Sequence, residues 1–153
     1  MTSNLRAFLD MIAVSEIGKK LLAESDDGYN VLVGGTLFHG YADHPRTIVK
    51  LRPGLSSSAA GRYQILMRYF DVYKQRLELP DFSPASQDRI AVRMIEECRA
   101  MGDIEAGHFD DAVEKCRSRW ASLPGAGYQQ HENNINDLRA AFVQAGGKLE
   151  QQA

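Results

Sequence analysis

The sequence has little of what marks a nucleic-acid-binding, secreted or membrane-spanning protein. Its 153 residues carry 18 basic and 20 acidic side chains, for a formal net charge of −2, and no basic tract stands out. Nucleic acid and anionic membrane are therefore unfavourable electrostatic partners. The first ten residues, MTSNLRAFLD, include an acidic residue and no long apolar run, so we expect neither a secretory signal nor a membrane span. On this basis we expect the protein to be made and folded in the cytosol.

Cysteine is also scarce. Two cysteines, Cys98 and Cys116, are too few for a disulfide framework, and they suggest no metal site. Each falls on an apolar helical stripe, which favours a buried thiol, and a bridge between them stays an open alternative. Repeats and low-complexity segments are missing as well. With 44 % apolar and 25 % charged residues, residues 1–153 are expected to form a single globular domain.

The first positive feature of the sequence is an amphipathic segment near the amino terminus, NLRAFLDMIAVSE over residues 4–16. Its apolar residues recur at the helical period and form one stripe: Leu5, Phe8, Leu9 and Ile12. Glu16 continues this stripe one turn beyond Ile12. Partial burial and the negative end of the helix dipole would both raise the pKa of this carboxyl, as a general acid working near neutral pH requires. The alternative is a helix-end glutamate that extends its carboxylate into solvent.

A small sheet is predicted after this helix. The expected strands are the short β-branched or alternating segments 29–33, 36–41 and 46–51. Gly34 and Gly35 supply a two-residue hairpin turn between the first two strands. Pro45 breaks the second strand, and Pro53 with Gly54 stops the third. The segment KKLLAE before the sheet could add one helical turn.

The remainder of the chain has a helical period. The serines at 56–58 are candidate N-caps for a helix whose apolar stripe covers 66–77. Further helices are expected over 83–102, 108–120 and 135–145. Strands that are segregated from helices indicate an α+β fold. We therefore expect a small three-stranded antiparallel sheet lobe, a mainly helical lobe, and a cleft between them with Glu16 at the junction.

Six short motifs carry a resemblance to a known family. They are, in chain order, FLDMIAVSE, GYNVLVGG, YADHP, AAGRYQIL, DFSPASQD and WASLPGAGYQQ. Together they resemble the lambda-type phage endolysins, which are lytic transglycosylases with a lysozyme-like fold. The resemblance runs from about Leu5 to Gly147. One departure follows Glu16, where Ile17 and KKLLAE replace a more polar, glycine-containing loop.

The resemblance also implies site residues. Glu16 matches the catalytic glutamate, Gln64 in GRYQ a glutamine that lines the sugar cleft, and Tyr128 in SLPGAGY a tyrosine that faces the glutamate. A glutamine amide can both donate to and accept from sugar hydroxyls, and a tyrosine offers an aromatic body with a polar tip. Tyr63 is a further substrate-binding candidate, with core packing as the alternative for both tyrosines. Ser122 could bind substrate or close a tight turn.

A metal site is a weak alternative. Two histidines and a carboxylate lie close together at His39, Asp43 and His44, but no ligand motif such as HExxH supports them. Strand alternation would place His44 on the opposite face from the other two. A pairing of Asp43 with His44 that braces the chain at Pro45 is the more favourable interpretation. We expect no metal ligands and no cofactor.

The function implied by the resemblance is cleavage of the β-1,4 bond between N-acetylmuramic acid and N-acetylglucosamine in peptidoglycan. The product would carry a 1,6-anhydro ring formed by intramolecular transglycosylation. The implied partner is the glycan strand alone, acted on by a monomer without nucleic acid or stable membrane binding. The enzyme would stay in the host cytoplasm until a holin opens the membrane, and would then reach the periplasm or cell wall.

Two other functions stay open at this point. One is hydrolysis of the same bond, as in phage lysozymes, with a second carboxylate that directs water. Asp26, in the turn-forming segment SDDG, is the candidate for that carboxylate, although the following residues 29–31 offer no hydroxyl suited to holding a water. The other is a non-catalytic wall-binding module that retains the fold.

Overall fold

The computed structural model describes residues 1–125 and 132–150. Helices and a small antiparallel sheet confirm the predicted α+β class. The elements in chain order are α1 (Ser3–Ile17), α2 (Lys19–Glu24), β1 (Val49–Arg52), β2 (Leu55–Ser57), α3 (Met67–Arg76), α4 (Pro84–Glu97), α5 (Met101–Ala106), α6 (Phe109–Cys116) and α7 (Ile135–Gln144). Within the described residues, no helix is both long and apolar enough to cross a bilayer.

The chain divides into two compact units. The first unit combines Met1–Glu16 with Val92–Ala153, and the second unit is Ile17–Ala91. The prediction of one domain over residues 1–153 stays a prediction, as does the cleft between the two lobes.

Helix α1 is buried around most of its circumference, rather than along one stripe only. In addition to the predicted stripe, Ala7, Met11 and Ala13 are fully buried. A helix that is apolar on most sides belongs in a core, so α1 is a central element of the first unit. Helix α1 ends at Ile17, and Gly18 follows with a φ of +90°. This is the predicted stop, since glycine adopts a positive φ without steric cost.

The first unit is held together by aromatic packing and by a buried asparagine. The Phe109 ring centroid lies 6.1 Å from that of Phe8 and 5.1 Å from that of Phe142. Asn4 Nδ2 donates to the Ile104 carbonyl at 2.9 Å, and the Lys148 N–H donates to Asn4 Oδ1 at 2.9 Å. These bonds join the start of α1 to the end of the described chain.

The sheet of the described residues has two strands, where the sequence predicted three. Strands β1 and β2 pair antiparallel, with Val49 opposite Ser57. The predicted hairpin over 29–41 forms only the isolated bridge between Val31 and Leu37. The backbone of 31–33 also pairs along its other edge with 59–61, where Gly61 N donates to the Val31 carbonyl at 2.9 Å.

The helices of the second unit begin where local geometry allows. The expected caps at 56–58 overlap β2, so α3 begins later, at Met67, without a side-chain cap. Helix α4 begins as predicted at Pro84, and the Ser86 N–H donates to the Ser83 hydroxyl at 3.4 Å. Its predicted end near residue 102 is wrong, because the chain leaves the helix after Glu97 and α5 begins at Met101.

Candidate active site

Glu16 lies in the last turn of α1. The residue as a whole is half-buried, but its carboxyl group is buried. Desolvation raises the pKa of the carboxyl to about 7, while a hydrogen bond with the Ser122 side chain lowers it. The sequence-based expectation that burial raises this pKa is therefore confirmed. A carboxyl with a pKa near 7 is protonated in a large fraction of molecules at neutral pH, so it can donate a proton to a leaving group.

Two residues that sequence reasoning missed lie beside Glu16 and Ser122. The hydroxyl oxygens of Ser15 and Ser122 are 2.7 Å apart. Asn133 Nδ2 donates to the Ser15 carbonyl at 2.9 Å and to the Ser15 hydroxyl oxygen at 3.1 Å. No local signal identifies Asn133, because it is 118 residues from Ser15 along the chain. Ser15 directly precedes Glu16, and that adjacency is the only sequence clue to its role.

Ser122 is fixed by its backbone as well as by its hydroxyl. The Asn133 backbone N–H donates to the Ser122 carbonyl at 2.8 Å, and the next residue, Leu123, is fully buried. The backbone contacts agree with the turn-closing alternative. The hydroxyl contacts direct the side chain toward Ser15 and Glu16. Binding of substrate by Ser122 stays a prediction.

Gln64 belongs to the second unit and adopts an unusual backbone conformation. Its φ is +51°, which non-glycine residues rarely adopt. Its side-chain Nε2 donates to the Gly61 carbonyl at 2.9 Å and to the Val31 carbonyl at 3.2 Å. Within the described part of the chain its Oε1 accepts no hydrogen bond, so this oxygen is the atom that could receive a sugar hydroxyl.

The structure corrects the assignment of Tyr63 to substrate binding. Tyr63 is 0 % exposed, and its hydroxyl donates to Asp88 Oδ1 at 2.6 Å. Its ring packs edge-on against Tyr29 and under the guanidinium of Arg62. A side chain enclosed in this way cannot reach a glycan, so the core-packing alternative describes it. Tyr128 lies outside the described residues.

The histidine and carboxylate group at residues 39–44 forms no metal-like cluster in the described structure. His44 is buried, its Nε2 lies 2.8 Å from the Ile65 carbonyl, and its Nδ1 accepts from the Arg46 backbone N–H at 3.0 Å. The carbonyl can only accept, so Nε2 carries the proton. Asp43 pairs with Arg46 at 2.7 Å. The expected pairing of the Asp43 carboxylate with the His44 ring is therefore wrong, because both side chains have other partners.

Asp26, the candidate second carboxylate, lies in an exposed turn of the second unit. The Tyr41 hydroxyl donates to Asp26 Oδ2, and the Asp26 backbone N–H donates to Asn30 Oδ1 at 2.8 Å. Both bonds stabilise the turn. These contacts agree with a structural role for the SDDG segment.

Comparison with known proteins identifies the family. A sequence model described as endolysin matches residues 6–149. The endolysin of Escherichia phage lambda is 48 % identical, over 94 % of this chain and 92 % of the relative. The chain belongs to the endolysin family. The endolysin of Escherichia phage P2 is 44 % identical, over 94 % of this chain and 93 % of the relative.

Solved structures agree with this membership. A lysozyme of bacteriophage lambda complexed with a chitohexasaccharide superposes with a TM-score of 0.95, at 46 % identity over 98 % of each chain. A second structure of the lambda lysozyme gives a TM-score of 0.90 at 45 % identity, also over 98 % of each chain. This endolysin therefore has the predicted lysozyme-like fold and is a cell-lysis enzyme of the lambda and P2 type.

Proposed function

We propose that this endolysin cleaves the β-1,4 bond after N-acetylmuramic acid by non-hydrolytic intramolecular transglycosylation, with Glu16 as its catalytic residue. The observation that carries the proposal is the buried carboxyl of Glu16, whose pKa is raised to about 7 by desolvation. At that pKa one group can act first as an acid and then as a base near neutral pH.

The proposed reaction consumes neither a proton nor a water molecule. The protonated Glu16 carboxyl donates its proton to the glycosidic oxygen, and the bond between that oxygen and the muramic C1 atom breaks. The C6 hydroxyl oxygen of the same sugar bonds to C1, and its proton returns to the Glu16 carboxylate. The product has a 1,6-anhydro ring, and Glu16 regains its starting state. Exclusion of water from the reacting face would prevent the competing hydrolysis.

One chemical argument and one structural observation support this choice over hydrolysis. Transglycosylation requires no second carboxylate, whereas an inverting or retaining hydrolase normally uses one. Asp26, the candidate for that role, is an exposed turn residue that accepts a hydrogen bond from Tyr41. The local structure thus explains Asp26 without a catalytic role.

A glycan strand is the proposed substrate. The similar lambda lysozyme is known in complex with a chitohexasaccharide, a β-linked oligomer of amino sugars. In this chain we assign substrate contact to the Oε1 atom of Gln64, which is half-buried and positioned by two bonds from its own Nε2. Tyr128 remains part of the proposal on the basis of its motif alone.

Product analysis in oxygen-18-labelled water tests the reaction. Purified peptidoglycan is digested in labelled water, and the released fragments are examined by mass spectrometry. Transglycosylation gives anhydro ends that are lighter by one water and carry no label. Reducing ends that contain the heavy oxygen as the main product would assign the enzyme to the hydrolases.

The Asp26→Asn variant tests the same choice from the protein side. Asparagine keeps an oxygen that can accept from Tyr41, so the turn should remain folded. Most of the activity should be retained, because the exchange removes only the charge. Loss of lysis in a folded Asp26→Asn protein would favour the hydrolytic alternative.

Access to the wall is a separate part of the proposal. We propose that the protein accumulates in the host cytoplasm as a monomer and acts only after a holin has opened the inner membrane. Expression in intact bacteria should leave the culture turbid until a membrane-permeabilising agent is added. Lysis before permeabilisation, with the inner membrane intact, would contradict this localisation.

A further inference from the structure

The polar groups next to Glu16 form a hydrogen-bond chain whose direction can be deduced. Asn133 Nδ2 faces two carbonyl oxygens, that of Ser15 at 2.9 Å and that of Ser122 at 3.4 Å. Carbonyl oxygens only accept, so the atom that faces both must be the amide nitrogen, which fixes the orientation of the Asn133 amide. The same nitrogen is 3.1 Å from the Ser15 hydroxyl oxygen and donates to it.

The two serines continue this direction. Ser15 accepts from Asn133 and keeps its own hydroxyl proton for another acceptor, and the Ser122 oxygen lies 2.7 Å away. Ser122 then uses its own proton for the carboxyl of Glu16, with which its side chain is hydrogen-bonded. Hydrogen bonds that run the same way polarise one another, which strengthens the last donor in the chain.

We propose that Asn133, Ser15 and Ser122 are positioning residues, which direct a hydroxyl proton at the Glu16 carboxyl and stabilise its ionised form between the two proton transfers. This inference rests on the proposed function, in which Glu16 loses and regains a proton. Burial alone would make Glu16 reluctant to release its proton. A preorganised donor becomes more effective as negative charge develops on the carboxyl, and so it compensates for the lost solvent.

The hydrogen-bond chain of Asn133, Ser15 and Ser122 carries no charge, so its members can be mutated without changing the charges around Glu16. Burial raises the pKa of Glu16 and the Ser122 hydrogen bond lowers it. The other ionisable residues on α1 are Arg6 and Asp10, at least six positions before Glu16. The described part of the segment after Ser122 carries Glu132, whose carboxylate accepts from the Gly125 N–H at 2.9 Å.

Direct titration of Glu16 tests the inference without any substrate. Carbon-13 NMR of protein with labelled glutamate side chains follows the Glu16 carboxyl, and the Glu16→Gln variant identifies its signal. Ser122→Ala should raise the pKa of Glu16 by about 0.5 to 1 pH unit, since it removes a hydrogen bond to the charged form. Ser15→Ala should shift it in the same direction by less, because Ser122 then keeps its proton but loses its orientation.

Two further variants make the comparison specific. Ser122→Thr keeps the hydroxyl and should restore the titration midpoint of the unmodified protein. Ser118→Ala removes an exposed serine of the same unit and should leave the midpoint unchanged. If Ser122→Ala fails to fold, Ser15→Ala and Asn133→Ala decide the question by the same measurement.

Kinetics distinguish positioning from a purely structural role. Ser122→Ala should lower kcat about tenfold with little change in KM. It should also move the alkaline limb of the pH–rate profile to higher pH, by the same amount as the pKa of Glu16. A lowered melting temperature with an unchanged midpoint would overturn the inference. Lysis by a folded Glu16→Gln protein would instead refute the proposed function, while the NMR titration would still report on the hydrogen-bond chain.

Discussion

Glu16 combines a functional advantage with a cost in stability. Its pKa is raised by burial from 4.5 to about 7 in the folded protein. Between these two pH values the folded state holds a proton that the unfolded state has released. The free energy of unfolding therefore falls as the pH rises from about 4.5 through about 7, and is level above that range. A shift of one pKa unit corresponds to about 1.4 kcal/mol. The ionised Glu16 carboxylate therefore lowers the free energy of unfolding by about 3 kcal/mol relative to the protonated form.

The Glu16→Gln variant should separate activity from stability. Glutamine keeps the size of the side chain but can neither give up a proton nor become charged. We expect loss of lysis, and a free energy of unfolding that is higher by up to about 3 kcal/mol at pH 8 yet little changed near pH 4. Urea unfolding at both pH values, with a turbidity assay on permeabilised bacteria, measures the two effects. Measurable lysis by the folded variant would remove Glu16 from the catalytic role.

Gln64 offers a second test on a single side chain. Gln64→Ala removes the proposed acceptor for a sugar hydroxyl, and it also removes the bonds from Nε2 to Val31 and Gly61. We expect kcat/KM on peptidoglycan to fall about tenfold per folded molecule, as for an interaction worth about 1.4 kcal/mol. The exposed Gln75→Ala on α3 is the matched control and should be nearly neutral. If only the melting temperature falls, Gln64 is a structural residue.

The turn that carries Gln64 depends on a glycine next to a buried glutamine. Gly61 has a φ of +83°, and a Cβ atom added there would lie 2.3 Å from Gln87 Oε1. Gln87 cannot move away easily, since it is fully buried and its amide binds three backbone groups: Arg62 N–H, Tyr29 carbonyl and Phe82 carbonyl. This packing holds the segment 59–65 against 29–33.

Gly61→Ala should therefore be strongly destabilising. The left-handed backbone costs an alanine about 1 to 2 kcal/mol, and the clash with Gln87 adds to that, for a loss of roughly 3 kcal/mol or more. Gly54 has nearly the same φ, +80°, and open space around it, so Gly54→Ala isolates the backbone contribution. Chemical denaturation of both variants gives the difference. Equal losses for the two would show that Gln87 accommodates the extra carbon.

For the molecule as a whole, one side chain connects the beginning and the end of the described chain. Asn4 is buried and bonds to Ile104 and Lys148, the latter 144 residues away. These bonds place the last described residues: the Glu150 N–H donates to the Gly107 carbonyl at 3.1 Å. Hydrogen bonds to the rest of the first unit therefore continue as far as Glu150.

Asn4→Ala should lower the free energy of unfolding by about 1 to 3 kcal/mol. It removes the donor to the Ile104 and Lys148 carbonyls and the acceptor of the Lys148 N–H. Asn136→Ala on the exposed face of α7 serves as the control and should change stability by a few tenths of a kcal/mol. Thermal unfolding with hydrogen exchange at residues 147–150 measures the effect. An unchanged exchange rate there would show that Asn4 does not hold the carboxyl-terminal segment.

Local sequence patterns were sufficient for features that depend on neighbouring residues. The period of α1 and the glycine after it located Glu16 at a helix end, and Ser83 with Pro84 located the start of α4. Such features follow from backbone preferences over one or two turns, so a short window of sequence contains the necessary information. The segregation of strands and helices indicated the α+β class, and the family motifs, which span nearly the whole chain, added the lysozyme-like fold.

Only the tertiary structure decided which distant groups meet. The backbone of 31–33 pairs with 59–61, which no sequence pattern predicted, and burial removed Tyr63 from the candidate site. The chain of Asn133, Ser15 and Ser122 beside Glu16 joins residues more than a hundred positions apart. Backbone groups and hydroxyls bind whichever partner the packed core brings within about 3 Å, and no local pattern encodes that choice.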